Sequence, residues 1–200
     1  MEFQDVVRKR RMVRAFDDRP IPPETVEHIL GNAQRGPSSG FTQGFEFLVF
    51  NGHEQTERFW DATPWPGTFL AGARRAPLLV IPLTHQQAYV DRYRSPDKAA
   101  VGRQTAEDFP APYWFIDAGF AVMLILLTAV DAGLGAFYFS LGPTSREIPA
   151  FRAAFGVPEA YYPIGAIAIG YPGPGDPSPR PEEIRRRRRD PQSRMHIGRW

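Results

Sequence analysis

The stretch from Tyr113 to Ala132 constrains this chain more than any other. Its apolar residues fall on nearly every side of a helix and leave no polar face to turn to water. A helix of that kind is central to a fold or lies at a subunit interface, and Gly133-Leu134-Gly135 ends it. Its charge-free part, Ala118 to Val130, is too short to span a bilayer. The opening residues, MEFQDVVRKRRMVRAF, lack the charged-then-apolar pattern of a signal peptide. A cytoplasmic protein without a membrane segment is the expectation.

The other elements are read around that helix. Phe3, Val6 and Val7 among charged neighbours predict a short amphipathic helix over 2–10, which ends in the run Arg8 to Arg11. A second helix runs from Glu24 to about Gln34 and stops at Gly36-Pro37. Phe45–Phe50 and Leu78–Leu83 read as buried strands, Ala136–Ser140 and Ile164–Tyr171 as two more, and Glu54–Ala62 and Thr144–Phe155 as helices. Pro64-Trp65-Pro66-Gly67 reads as a loop. No period holds from Gln86 to Pro112, which predicts a surface excursion or lid. The Pro- and Arg-rich tail from Pro172 cannot bury a core and is expected to be disordered or laid along another surface. Helices, hairpin-like strands and one long central helix make an α+β layout in a single domain over 1–200.

Several chemistries drop out. With no cysteine there are no disulfides, thiol nucleophiles, Cys-ligated zinc or iron–sulfur clusters. No GxGxxG occurs, so a Rossmann nucleotide site is not expected. His28, His53, His85 and His196 show no metal spacing, and no Ser-His-Asp order is persuasive. Asp117 and Asp131 flank the apolar helix as a conceivable proton-transfer pair, although caps or salt bridges fit them better.

The charge is segregated. Residues 1–14 carry five basic and two acidic groups, residues 174–200 eight and four, and the body 11 and 16. Basic ends invite a nucleic-acid reading, but neither a reading module nor stacking aromatics accompany the charges, and no nucleic acid is expected. Of the 24 basic residues 22 are arginines, whose forked donors match phosphate oxygens. By itself a run such as Arg8-Lys9-Arg10-Arg11 is more often a solvated surface. By the same measure the loop Gly36-Pro37-Ser38-Ser39-Gly40-Phe41-Thr42-Gln43 alone would be an ordinary turn, yet its small residues and free amides also suit close approach to a flat ring.

Taken in order, these pieces resemble the flavin-dependent nitroreductase family over essentially the whole chain. The family's opening Arg-Arg-Ser-x-Arg-x-Phe reads here Arg10-Arg11-Met12-Val13-Arg14-Ala15-Phe16, and its Pro-Ser-Ser-x-Asn-x-Gln-Pro-Trp loop reads Pro37-Ser38-Ser39-Gly40-Phe41-Thr42-Gln43-Gly44-Phe45. Its apolar helix runs here from Tyr113-Trp114-Phe115-Ile116-Asp117 into Gly133-Leu134-Gly135. Its strand end and tail appear as Ile169-Gly170-Tyr171-Pro172 and as Arg188-Arg189-Asp190-Pro191 to Arg199-Trp200.

The resemblance implies a nitroreductase-like fold: a central mixed or antiparallel sheet flanked by helices, the long buried helix at a homodimer interface, and an extension over 172–200 wrapping the partner subunit. It implies two FMN molecules at that interface. Arg10, Arg11 and Arg14 would face the phosphate, with Met12 in the same segment and Arg187 and Arg189 completing the clamp. Pro37, Ser38, Ser39 and Gln43 would line the ring, and Ser140 and Leu141 would meet its N5 edge. The implied activity is NAD(P)H-driven ping-pong reduction of nitroaromatics, quinones or similar electron-poor molecules, with no catalytic side chain and no metal. Met12 replaces a Ser or Thr donor and Phe41 an Asn, so deazaflavin F420 stays open as the cofactor, whether in a reductase or in a non-catalytic binding or storage protein.

Overall fold

The structure, a computed structural model, describes residues 1–63, 70–142 and 144–200. The expected Pro64–Gly67 loop lies outside the described residues.

Among the described residues five strands form one antiparallel sheet. β1 (Phe45–Asn51), β2 (Leu78–Thr84), β5 (Ala166–Gly170) and β3 (Gly135–Phe139) lie in that order, and the two-residue β4 (Tyr162–Pro163) also pairs with β2. β2 is buried along its whole length, as its unbroken apolar run requires. Its side chains alternate between two cores. Leu79, Ile81 and Leu83 join Phe50, Phe59, Phe137, Phe139 and Phe151 on one face. Leu78 and Val80 join Ile29, Ile125, Ala129, Ile167 and Ile169 on the other.

The first face is covered by α3 (His53–Ala62) and α6 (Ile148–Phe155), the second by α2 (Pro23–Ala33) and α5 (Tyr113–Asp131). α5 has the length and apolarity of a membrane span, but it is built into the core through Ala118, Ala121, Val122, Ile125, Leu126 and Ala129 and packs against α2. Not all of it is covered: Ile116, Phe120 and Met123, at helical spacing, remain 39–46% exposed.

One expectation needs correction. The segment after β2 is not an aperiodic excursion, because Gln86–Arg94 forms α4. Its buried stripe is only Tyr89, Val90 and Tyr93, packed with Phe109 and Trp114, and tyrosines among glutamines and arginines make a weak apolar period. Only the remainder, to Pro112, is irregular, apart from two single turns. Of the two outcomes open to the tail, its beginning is laid along another surface, the segment at residues 15–17. Asp17 N–H donates to Tyr171 O and Gly173 N–H to Ala15 O, and farther on Pro181–Arg187 forms α7.

Candidate cofactor site

The segment Arg10–Phe16 leaves α1 (Phe3–Lys9) and runs beside β3. Val13 N–H donates to Ala136 O at 3.0 Å, and Met12 forms a parallel bridge with Ala136. Val13 is buried, and Met12 is half-buried against both cores. The loss of a hydroxyl donor at Met12 thus comes with a packing role between the two sheet faces.

The arginines of this segment differ in their surroundings. Arg10 is half-buried and has no ion pair among the described residues. Arg11 forms a salt bridge to Asp176 at 2.5 Å. Arg14 donates from its backbone N–H to Asp176 at 3.0 Å and from its guanidinium to Ser178 Oγ at 3.3 Å, and that guanidinium lies 4.8 Å from the centre of the Phe137 ring. Burial opposes ionisation of Asp176. Hydrogen bonds from Ser178, Arg11 and the Arg14 amide outweigh it and hold the carboxyl down to about 2.

The two basic ends therefore do meet, and the first contact is made by an acidic residue. Arg187 and Arg189 are exposed and make no ion pair among the described residues. Other tail arginines approach α1, where Arg8, Glu182, Arg185 and Arg188 line a cleft of about 220 Å³. Nothing in the basic runs pointed to Asp176 and Ser178; the available signal was an Asp followed two residues on by Ser, a turn in which the Asp side chain accepts local amides.

β3 leads from Phe137 to the other expected residues. Ser140 is exposed and donates its hydroxyl to Gly142 O at 2.9 Å, while Leu141 is buried. Leu141 borders a shallow cleft of about 170 Å³ with Gly142, Tyr162 and Gly165. The arginine segment and this strand end thus lie along one edge of the sheet.

The Pro37–Gln43 loop is held elsewhere. Ser39 N–H donates to the buried Asp117 carboxylate at 2.8 Å, and Ser39 Oγ shares a hydrogen bond with Tyr93 at 2.8 Å. Arg92 Nε donates to Gly40 O at 2.8 Å, and Gln43 N–H to Ser38 Oγ at 2.9 Å. Pro37 and Gln43 are exposed, and Phe41 is 77% exposed. Phe41 and Gln43 have φ of 54° and 53°, the left-handed region that side chains disfavour. Asp117 is therefore a loop anchor within α5, while Asp131 pairs with the N-terminal amine. Beneath the loop Tyr89 is fully buried, and its hydroxyl has no partner at good hydrogen-bond geometry among the described residues. Burial first, and the neighbouring Asp117 second, push its pKa well above the ordinary tyrosine range.

A single chain thus carries two separate groups of the expected residues. One is the arginine segment with the end of β3; the other is the Ser38 loop on α4 and α5. The hydrogen bonds described for the loop run within it or to those helices, not to the arginines. A roomier cleft of about 400 Å³ contains none of these residues, and its Arg74 and Arg75 are paired with Glu57 and Asp18. No cluster of His, Asp and Glu fit for a metal occurs among the described residues.

Comparison with known proteins agrees with this architecture. The sequence model of the Nitroreductase family matches residues 7–171. A Methanothermobacter thermautotrophicus protein whose name couples NADH dehydrogenase with NAD(P)H nitroreductase is 27% identical over 172 residues, covering 86% of this chain and 78% of that one. A nitroreductase family protein from Clostridium difficile superposes with a TM-score of 0.73 at 19% identity, covering 99% of both chains. An FMN-dependent nitroreductase from Clostridium difficile R20291 superposes with a TM-score of 0.70 at 21% identity, covering 98% of both. With the family model spanning most of its length and the sheet, central helix and arginine segment in place, the chain belongs to the nitroreductase family.

Proposed function

We propose that this chain is a flavin-dependent oxidoreductase that binds FMN between two copies of itself and uses NAD(P)H to reduce small electron-poor molecules such as nitroaromatics or quinones. The observation that carries the reading is the arginine segment laid beside β3, with Arg10 free of ion pairs among the described residues and Arg14 held at the edge of the sheet that ends in Ser140-Leu141. Guanidinium groups carried on a segment bridged to a rigid strand suit a phosphate monoester, so the donor set fits the phosphate end of a flavin nucleotide.

Bound FMN would supply the redox chemistry, taking hydride from NAD(P)H and handing electrons to the acceptor. The chain's own residues bind and orient. Arg10 and Arg14, with Arg11 beside them, would hold the phosphate. Backbone amides at Ser140 and Leu141 would offer donors to the N5 edge, where charge changes during reduction. Pro37, Ser38, Ser39 and Gln43 stand apart from the arginines within one chain, so a second copy would bring its own loop to the ring. The exposed stripe Ile116, Phe120 and Met123 suits that homodimer, and Arg187 and Arg189 on the exposed tail would reach the partner's phosphate. No membrane, metal or nucleic acid enters this reading, which treats residues 1–200 as one cytoplasmic catalytic domain.

A second reading keeps the clamp and changes the cofactor. Met12 offers no hydroxyl and Phe41 no amide, which removes two contacts expected for FMN and leaves deazaflavin F420 open, bound either for reduction or for storage. Gentle purification followed by an absorbance spectrum and mass of the bound cofactor separates the two, and turnover with NAD(P)H and a quinone separates enzyme from store. A colourless protein unable to take up any flavin would refute both readings.

A further inference from the structure

The tail turn over residues 176–178 is the most fully bonded polar feature near the arginines, and nothing in the proposed chemistry uses it. The Asp176 side chain is only 9% exposed. Its Oδ2 accepts from Arg11 at 2.5 Å, and its Oδ1 accepts from the Arg14 amide at 3.0 Å and from the Ser178 hydroxyl and amide at 2.7 and 3.2 Å. Ser178 in turn accepts from the Arg14 guanidinium at 3.3 Å, and the same guanidinium lies over the Phe137 ring. A segment that must present several like charges side by side is thus gripped on one flank by β3, through Val13, and on the other by a single carboxylate and hydroxyl.

We propose that Asp176, assisted by Ser178, is a positioning residue for phosphate recognition: it neutralises Arg11 and fixes the backbone and guanidinium of Arg14, so that Arg14 meets the phosphate of the cofactor pre-organised, beside Arg10. The proposal rests on the flavin reading above. Two consequences follow from the geometry. Arg11, Arg14 and Arg10 carry three positive charges and Asp176 one negative, which leaves a net charge matched to a phosphate dianion. Holding the long Arg14 side chain before binding also removes an ordering cost that the phosphate would otherwise meet. Because Asp176 stays ionised to low pH, the bracket persists wherever the fold does.

The test compares FMN with riboflavin, which has the same ring and no phosphate. The full-length chain, depleted of flavin, is titrated with each by fluorescence quenching, for wild type, Asp176→Asn, Asp176→Glu and Ser178→Ala. Asp176→Asn is expected to weaken FMN about tenfold while riboflavin shifts less than about twofold, with Asp176→Glu recovering part of the loss and Ser178→Ala losing less. Equal loss for both flavins would reduce Asp176 to a general structural tie. Unchanged or tighter FMN binding would make it a bystander or a competitor for the arginines, and either result overturns the proposal. Should Asp176→Asn fail to fold, Ser178→Ala, which leaves the Arg11 ion pair in place, decides on the same ratio. A wild-type chain that binds FMN no better than riboflavin would instead sink the phosphate clamp itself.

Discussion

Asp117→Ala removes the anchor beneath the Ser38 loop, and its effect can be worked from the structure. The carboxylate is 3% exposed and accepts the Ser39 amide at 2.8 Å. A buried hydrogen bond to a charged group contributes about 1.5–3 kcal/mol, and leaving the amide unpaired costs in the same range. Against this stands the strain of the loop: Phe41 and Gln43 in left-handed conformations cost about 1–2 kcal/mol each. Anchor and strain are of similar size, so without Asp117 the loop is expected to relax rather than remain in place with its amide orphaned. Relief of that strain offsets part of the lost hydrogen bond, so the net loss should stay below about 3 kcal/mol, which at about 2–4 °C per kcal/mol limits the fall in Tm to at most about 12 °C. Chemical and thermal denaturation give the first number. Hydrogen exchange gives the second readout, with protection lost at Ser39 and Gln43 while β2 amides keep theirs. Asp117→Asn retains a carbonyl acceptor and should lose less than half as much. An Asp117→Ala protein within about 0.5 kcal/mol of wild type, with unchanged loop exchange, would refute the anchoring argument.

Other expectations follow from equally local geometry. Phe41→Asn should stabilise the chain by about 0.5–1 kcal/mol in thermal unfolding, because Asn tolerates the left-handed region and little packing is lost at an exposed site. Gly72→Ala would place a Cβ 2.4 Å from the Arg14 carbonyl and 3.0 Å from Ala15 Cα, backbone atoms that cannot swing aside, so a loss of about 1–3 kcal/mol and weaker FMN retention are expected together. Asp176 has its folded pKa lowered from 3.8 to about 2, so its stabilisation is full above about pH 4 and is lost as the pH falls toward 2; the stability gap between wild type and Asp176→Asn should close across that window in urea titrations. Phe120→Glu puts a charge in the exposed apolar stripe and should shift light-scattering mass toward the monomer, whereas an undisturbed dimer would place the interface elsewhere.

Much of this protein was legible from local pattern. The all-round apolar run at 113–132 could only be a core or interface helix, and the structure makes it both a core helix and the bearer of an uncovered stripe. Continuous apolar runs at β2 and β5 read as buried strands because burial on both faces leaves no alternation. The arginine segment and the Ser38 loop, ordinary when each is taken alone, gained their meaning from their order along the chain and the family resemblance it carries. α4 stayed hidden because its buried stripe is two tyrosines and one valine, too weak a period to rise above polar neighbours.

What the chain alone determined, then, was its elements and the kinds of ligand chemistry at hand: arginine forks, small loop residues, one apolar helix. These are properties of short windows, set by periodicity and side-chain type. Which arginine would stand free and which would be tied was decided only in three dimensions, because Asp176 lies 165 residues from Arg11 and Asp117 lies 78 from Ser39. A carboxylate's partner is chosen by which backbone the folded sheet and helices bring within 3 Å of it, and no local pattern carries that information.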